Sequence, residues 1–227
     1  MRLLPARRVA RALRGALRYL RVRTLPRRWL SPVDQFRRDG WNTLITEGFD
    51  LDADATVLDF GGYVGNWSAK ILALYGCNIH IFEPVPEYIH ELRLRFGQDP
   101  RVQIHPFAVG LSARTEVFNV AKDGTGQFAQ GSRQPVSFVA ADLLDDFLPP
   151  SVNLAAINIE GGEYELIEAL DGAGRLGSIQ DVVIQFHAVP NRREAERKRN
   201  DSRLRLQQTH NLCWSYDFVW EYWKIKS

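Results

Sequence analysis

Cysteine is scarce in this chain. The 227 residues contain only two, Cys77 and Cys213. Two cysteines cannot form a disulfide framework, and these two lack the spacing of metal ligands, so we expect no metal. Scarce cysteine favours a reducing compartment, the cytoplasm, over secretion. Long apolar runs are missing as well. The sequence contains no apolar stretch of 18 residues, so we predict no membrane-spanning helix. The basic N terminus has no uninterrupted apolar segment of the kind that a secretory signal needs.

Acidic residues are nearly absent from the start of the chain. Residues 1–38 hold 12 arginines and one acid, Asp34, whereas the rest of the chain holds 17 basic and 26 acidic residues. Leucines at helical spacing predict a basic amphipathic helix over 1–30. We therefore divide the chain into an arm, 1–33, and a domain, 34–227. The arm could touch an anionic membrane or lipid substrate, pack on the domain, or, least favoured, bind nucleic acid.

Beyond the arm, apolar runs and helical patterns alternate, which predicts an α/β domain. We expect a mostly parallel sheet with helices on both faces and an antiparallel C-terminal strand. Strands are predicted near 56–60, 78–82, 102–109, 153–159, 181–187, 212–218 and 219–226. Helices are predicted near 34–50, with Trp41, Leu44 and Ile45 inward, and near 66–75, 86–96, 162–170 and 191–208.

The segment 112–140 interrupts this alternation. Short strands are predicted at 115–120 and 136–140, on either side of a polar, glycine-rich loop at 122–134. The loop is too long for a simple hairpin turn. It is either a lid over a substrate or a plain surface loop.

A glycine-rich turn follows the first predicted strand and includes Asp59, Gly61, Gly62 and Gly65. Glycines at such a turn let a ligand approach the backbone closely. The pattern differs from a dinucleotide fingerprint, because Asp59 would repel a pyrophosphate. An acid here suits a cationic ligand. S-adenosylmethionine, which carries a sulfonium and an ammonium group, is therefore favoured over NAD.

The second predicted strand ends at Glu83, which Pro84 follows. An acid at this point can accept hydrogen bonds from both ribose hydroxyls of a nucleoside, and it would repel the 2′-phosphate of NADP. Ala108 and Val109, at the end of the third predicted strand, are expected to border the adenine. Each of these residues could instead be an ordinary strand end.

Two further polar groups follow later strands. The fourth strand ends in Asn158 and Glu160, a glycine pair then opens a helix that contains Glu163, and His187 ends the fifth strand. Because ligands bind beyond the carboxyl ends of parallel strands, we expect these side chains near Asp59 and Glu83. His187 and Glu160 are candidate general bases, and Asn158 could orient donor or acceptor. Glu163 could equally cap its helix.

At these residues the chain resembles the FkbM family of S-adenosylmethionine-dependent methyltransferases. The matching pieces are Val57-Leu-Asp-Phe-Gly-Gly-Tyr-Val-Gly, Phe82-Glu-Pro, Asn158-Ile-Glu-Gly-Gly-Glu-Tyr and Gln185-Phe-His187. The resemblance, over about residues 55–190, implies a class I Rossmann-like methyltransferase fold. It also implies methyl transfer to an oxygen of a sugar, glycolipid or natural product.

Three positions depart from the family pattern. Tyr63 stands where the family's turn tends to carry asparagine. Ala156 and Asn158 stand where the family usually has lysine and aspartate, and an amide is no carboxylate base. This motivates an alternative, a catalytically inactive methyltransferase fold that binds a membrane or glycolipid. An NAD-dependent oxidoreductase is a third, disfavoured hypothesis. The acceptor and the oligomeric state are open.

Overall fold

The computed structural model describes residues 22–121, 124–126 and 132–227. Side chains are described for these residues except those within 120–132. The chain forms two compact units, Met1–Glu47 and Gly48–Ser227. The boundary we predict at residue 33 stays a prediction. Most of the predicted arm helix lies outside the described residues, although residues 22–24 are helical. No helix among the residues described is long and apolar enough to cross a bilayer.

After the helical residues 22–24, the described part of the first unit contains a 3-10 turn (Arg27–Trp29) and the short α-helices α1 (Pro32–Arg38) and α2 (Trp41–Leu44). We predicted one helix over 34–50. The chain instead turns at Gly40, which adopts a φ of 88° that most side chains avoid. Trp41 was predicted to point inward, but 49% of it is exposed. For Trp41 the prediction was wrong, because the break at Gly40 interrupts the helical phase, whereas Ile45 is buried as predicted and Leu44 is partly buried.

The second unit holds eleven strands in the described residues and four helices that alternate with them. The strands are β1 (Thr56–Phe60), β2 (Asn78–Phe82), β3 (Val102–His105), β4 (Ala108–Gly110), β5 (Arg114–Ala121), β6 (Gly124–Gly126), β7 (Ser132–Ala140), β8 (Val152–Ile157), β9 (Ile179–Ile184), β10 (His210–Tyr216) and β11 (Trp220–Ile225). The helices are α3 (Asn66–Tyr75), α4 (Pro86–Phe96), α5 (Glu163–Gly172) and α6 (Arg192–Thr209).

Seven strands form the main sheet, in the order β10-β11-β9-β8-β1-β2-β3. Strands β1, β2, β3, β8 and β9 run parallel, while β11 pairs antiparallel with both β9 and β10. The fold predicted from the sequence, a mostly parallel sheet with an antiparallel C-terminal strand, is confirmed. The chain continues from β1 to β2 on one side, and β8 takes the place on the other side of β1.

Helices pack on both faces of this sheet. Leu92 of α4 and Ile81 of β2 both lie close to Gly62 on one face. Successive side chains of a strand point to opposite faces, so the neighbouring Phe82 faces the other way. Phe82 belongs to the core that includes Leu166 and Ile167 of α5. The buried apolar strands thus lie between two helical layers.

The remaining four strands form a separate sheet, in the order β4-β7-β5-β6. We predicted one strand over 102–109, but it is divided at Pro106, and its second half pairs with β7 in this smaller sheet. The predicted strands at 115–120 and 136–140 are present, are longer than expected and pair antiparallel. The predicted loop at 122–134 contains β6 and the start of β7, and its remaining residues lie outside the described ones.

Candidate functional site

The strand order reverses at β1, because β2 lies on one side of it and β8 on the other. Loops that leave the two strands at such a point diverge and open a crevice. Here the backbone N–H of Gly61 donates to the carbonyl of Phe82 (2.9 Å), and the N–H of Asn158 donates to that of Phe60 (3.0 Å). A cavity of about 280 Å³ opens beyond these strand ends. It is close to the lower limit for small-molecule sites, about 300 Å³.

The glycine turn after β1 is built for close packing. Gly61 has a φ of 91°, and a Cβ there would lie 2.3 Å from the backbone oxygen of Asn158. A Cβ on Gly62 would lie 2.1 Å from Ile81, and one on Gly65 would lie 2.4 Å from the ring of Phe96. Gly61 lines the cavity. Gly62 and Gly65 lie behind it, where they let the turn sit against β2 and α4.

Glu83 lies in the cavity wall with both carboxylate oxygens engaged. Oε2 accepts the backbone N–H of Tyr63 and Oε1 accepts that of Val85, each at 2.9 Å. The residue is 4% exposed, and this burial raises its pKa to about 7. The two N–H groups oppose that rise and the charge of Asp59 adds to it. The second strand thus delivers its terminal acid to the cavity in a fixed orientation.

Asp59 lies behind the glycine turn and not in the cavity wall. Its side chain accepts a 2.5 Å hydrogen bond from the hydroxyl of Ser68 on α3. Burial raises its pKa to about 6, against the lowering effect of Ser68. Its direct contact with a ligand stays a prediction. Asp59 and Glu83 are two buried acids that interact electrostatically, and a nearby cation would stabilise both charged forms.

Several of the predicted residues line the cavity together. Pro84, Ala108 and Val109 form part of the wall that continues from Glu83. Asn158 and Glu160 line the wall on the side of β8. Segments from β1, β2, β4 and β8 thus meet at one crevice.

Aromatic residues that sequence reasoning missed complete the wall. Tyr63, with a φ of 48°, meets the ring of Tyr88 edge to face at 4.5 Å. Phe118 and Phe138 of the smaller sheet meet edge to face at 5.9 Å and line the same cavity. Tyr63 stands beside the predicted glycines and could have been inferred. Phe118 and Phe138 could not, because their position depends on the pairing of the smaller sheet.

A cluster of three residues lies at the entry to α5. Oε1 of Glu163 accepts the backbone N–H of His187 (2.6 Å) and lies 3.3 Å from its Nδ1, while Oε2 accepts the N–H of Gly161 (2.7 Å). Glu163 is fully buried. The carboxylate of Glu160 lies 3.6 Å from Nε2 of His187. The imidazole is therefore held between two carboxylates, and Glu163 both shapes its own turn and orients the histidine.

Burial lowers the pKa of His187, but the hydrogen bond and charge of Glu163 and the charge of Glu160 outweigh this and leave it raised. The cavity wall includes Glu160 and not His187, as far as the described residues show. Glu160 has a φ of 50°, a backbone conformation that side chains rarely adopt and that is often found at functional sites. The histidine thus stands behind the carboxylate that reaches the cavity.

Three solved structures share the fold over most of the chain. A candidate rRNA methylase from Clostridium thermocellum has a TM-score of 0.54 at 12% identity, covering 87% of this chain and 97% of that one. An rRNA methylase from Streptococcus thermophilus has a TM-score of 0.52 at 11% identity, with 88% and 99% covered. The fibrillarin/Nop5p complex has a TM-score of 0.52 at 13% identity, with 87% and 81% covered.

Together with the strand order, this likeness shows that the chain has a Rossmann-like class I methyltransferase fold. At these identities the likeness establishes the fold, and function has to be argued from the site. No protein-family model matches the chain, and no curated protein matches it.

Proposed function

We propose that the chain is an S-adenosylmethionine-dependent methyltransferase of the FkbM type. The acceptor would be a hydroxyl group of a sugar, glycolipid or natural product. One observation carries the proposal. Two backbone N–H groups hold Glu83 in the wall of the cavity at β1, where the strand order reverses; we call this the switch-point cavity. A carboxylate in this position can accept hydrogen bonds from the ribose hydroxyls, and the neighbouring strand ends form the other walls of the crevice.

The residues present fit this cofactor. An ionised carboxylate offers about four lone-pair sites, and the backbone uses two of those on Glu83. Its remaining sites can accept from two ribose hydroxyls. Pro84, Ala108 and Val109 offer an apolar border for the adenine. Asp59 and Glu83 together favour a cationic ligand over a pyrophosphate or a 2′-phosphate, which disfavours NAD and NADP.

The cavity also offers a path for the acceptor's proton. When bound, S-adenosylmethionine supplies an electrophilic methyl group. Glu160 would accept the proton as the acceptor's O–H bond breaks and its O–CH₃ bond forms, with the S–CH₃ bond breaking and the neutral thioether S-adenosylhomocysteine as the leaving group. His187, 3.6 Å behind, would orient the carboxylate of Glu160 through its Nε2, and Asn158 would orient the bound groups. The departures from the family pattern therefore leave a base in place.

A second candidate is a binding module without catalysis. Ala156 is buried within β8, and Asn158 offers an amide and no carboxylate. In this version the basic arm holds the protein, otherwise cytoplasmic, at an anionic membrane surface. Liposome flotation with and without residues 1–30 tests the arm. Methyl transfer by the purified protein would exclude the inactive version.

Calorimetry with S-adenosylmethionine tests the cofactor assignment. Glu83→Ala should weaken binding by about tenfold or more, since it removes a charge-assisted acceptor. Glu87→Ala is the matched control, because Glu87 is an exposed acid four residues away on α4. Equal affinities for the wild type and the Glu83 variant would end the proposal.

A further inference from the structure

A second cavity, of about 500 Å³, adjoins the first. The two share wall residues at the turn before α5 and in the smaller sheet, among them Phe118, Phe138 and Glu160. Glu160, the candidate base, is thus reached from both sides. A ligand in the second cavity could present a group to Glu160 while the cofactor occupies the first.

The charges around this second cavity are nearly balanced. Its cations are Arg114, Lys198 and Arg205, and its acids are Glu160, Glu165, Glu168 and Asp201. The acids outnumber the cations by one. A polyanion such as a nucleic-acid backbone would therefore meet more negative than positive charge on entry.

The cations in the wall are also bound to carboxylates. Arg114 contacts Glu165 (2.8 Å) and Glu116 (2.5 Å). Arg205 contacts Asp171 (2.7 Å) and Glu168 (3.1 Å), and Lys198 contacts Glu194 (3.0 Å). A phosphate would meet cations whose charge these carboxylates already neutralise, and the carboxylates themselves would repel it. A neutral hydroxyl can instead join such pairs, donating to a carboxylate oxygen and accepting from an N–H.

The same wall contains aromatic faces. The guanidinium carbon of Arg114 lies 3.9 Å from the ring centroid of Phe138. The ring of Phe118 meets that of Phe138 edge to face. The electron-rich face of an aromatic ring attracts the slightly positive C–H groups of a ligand. A ligand with hydroxyls at its edge and C–H groups on its face satisfies both parts of the wall.

We infer that this second cavity is the acceptor site and that it takes a neutral, polyhydroxylated ring and excludes polyanions. The inference rests on the proposed methyltransferase function. It adds where the acceptor binds and which class of acceptor the wall rejects.

The test blocks the cavity from its solvent side. Asp201 is exposed on α6 and lines the second cavity but not the first. Asp201→Trp should fill it and leave the cofactor site unchanged. Leu204→Trp is the control, because Leu204 is 62% exposed on the same helix and lines neither cavity.

Transfer of labelled methyl groups from S-adenosylmethionine would be measured with a set of neutral methyl glycosides, the corresponding glycosyl phosphates and a short RNA. We expect label in a neutral glycoside, and about a tenfold or greater loss in Asp201→Trp alone. Cofactor affinity, measured by calorimetry, should be equal in all three proteins. Retained transfer in Asp201→Trp would refute the site.

Label confined to RNA or glycosyl phosphates would refute the acceptor class, and so would cofactor binding with no label in any neutral glycoside. Failure of the proposed function looks different. In that case the wild type itself does not bind S-adenosylmethionine, and the inference falls with it.

Discussion

Glu163 holds His187 at two points, its backbone N–H at 2.6 Å and its ring Nδ1 at 3.3 Å. The carboxylate is fully buried and comes from the first turn of α5, while the histidine follows β9. A buried charge beside an imidazole favours the protonated ring and fixes its orientation. The contact thus sets which nitrogen faces Glu160.

Removal of the Glu163 charge should lower the pKa of His187. In Glu163→Gln the burial that disfavours the charged ring remains, while the charge that opposes it is gone. An NMR titration of the ring protons measures the pKa directly. Glu165→Gln is the control, because Glu165 binds Arg114 and the N–H of Leu111 instead. An unchanged pKa of His187 in Glu163→Gln would show that Glu163 does not act on the ring.

Cofactor binding should depend on pH through Glu83. Its pKa is raised to about 7, so without a ligand the carboxyl group of Glu83 is largely protonated below that pH. The charged form is the better acceptor for ribose hydroxyls and for a cation, so affinity for S-adenosylmethionine should rise between pH 6 and about 8. Calorimetry across this range measures it. Glu83→Gln should bind more weakly and lose most of the pH dependence; a dependence equal to that of the wild type would contradict the role of Glu83.

Acid should weaken the fold through a pair of histidines on β2 and β3. Nδ1 of His80 lies 3.0 Å from Nε2 of His105, and burial, with the charge of His80, lowers the pKa of His105 to about 4. Between pH 6.5 and about 4 the unfolded chain therefore binds a proton that the folded chain does not. This contribution to stability is complete above pH 6.5 and declines as the pH falls.

The raised pKa values of Asp59 and Glu83 act in the opposite direction, so the histidine contribution has to be isolated. His105→Phe keeps a ring against Phe82 and removes the titration. Denaturant unfolding from pH 7 to about 4.5 should show the wild type losing stability relative to this variant. His90→Phe, at an exposed histidine of α4, should follow the wild type. Parallel curves for the wild type and His105→Phe would contradict the account.

Gly61→Ala should destabilise the fold more than an alanine elsewhere in the same backbone conformation. Both Gly61 and Gly174 have positive φ, but a Cβ on Gly174 meets nothing within 4 Å, and one on Gly61 lies 2.3 Å from a backbone oxygen. Gly174→Ala should cost roughly 1–2 kcal/mol from strain alone. Gly61→Ala should cost about 2 kcal/mol more, because the turn and β8 must move apart. Equal losses in denaturant unfolding would show that the close approach is not needed.

The sequence predicts the site best where the information is local. An apolar run followed by an acid or a glycine pair identifies the end of a strand, and parallel strands bring their carboxyl ends to one edge. For that reason the sequence alone predicts Gly61, Glu83 and Asn158 at a common crevice. The separation of Asp59 from the cavity wall could not be predicted, because it depends on Ser68 of α3.

Non-local pairing escapes the sequence. The smaller sheet joins Ala108–Gly110 to Ser132–Ala140, and neither segment identifies its partner. The break at Pro106 and the one at Gly40 are single-residue effects inside otherwise continuous patterns. The second cavity was out of reach of sequence reasoning because the pairing of the smaller sheet positions Phe118 and Phe138.

Mass spectrometry of small molecules carried through native purification tests the central claim most directly, because it names the nucleoside that the switch-point cavity selects. The account predicts S-adenosylmethionine or its demethylated product bound to the wild type and absent from Glu83→Ala. A nicotinamide dinucleotide in its place, or the same nucleoside content in both proteins, would contradict it.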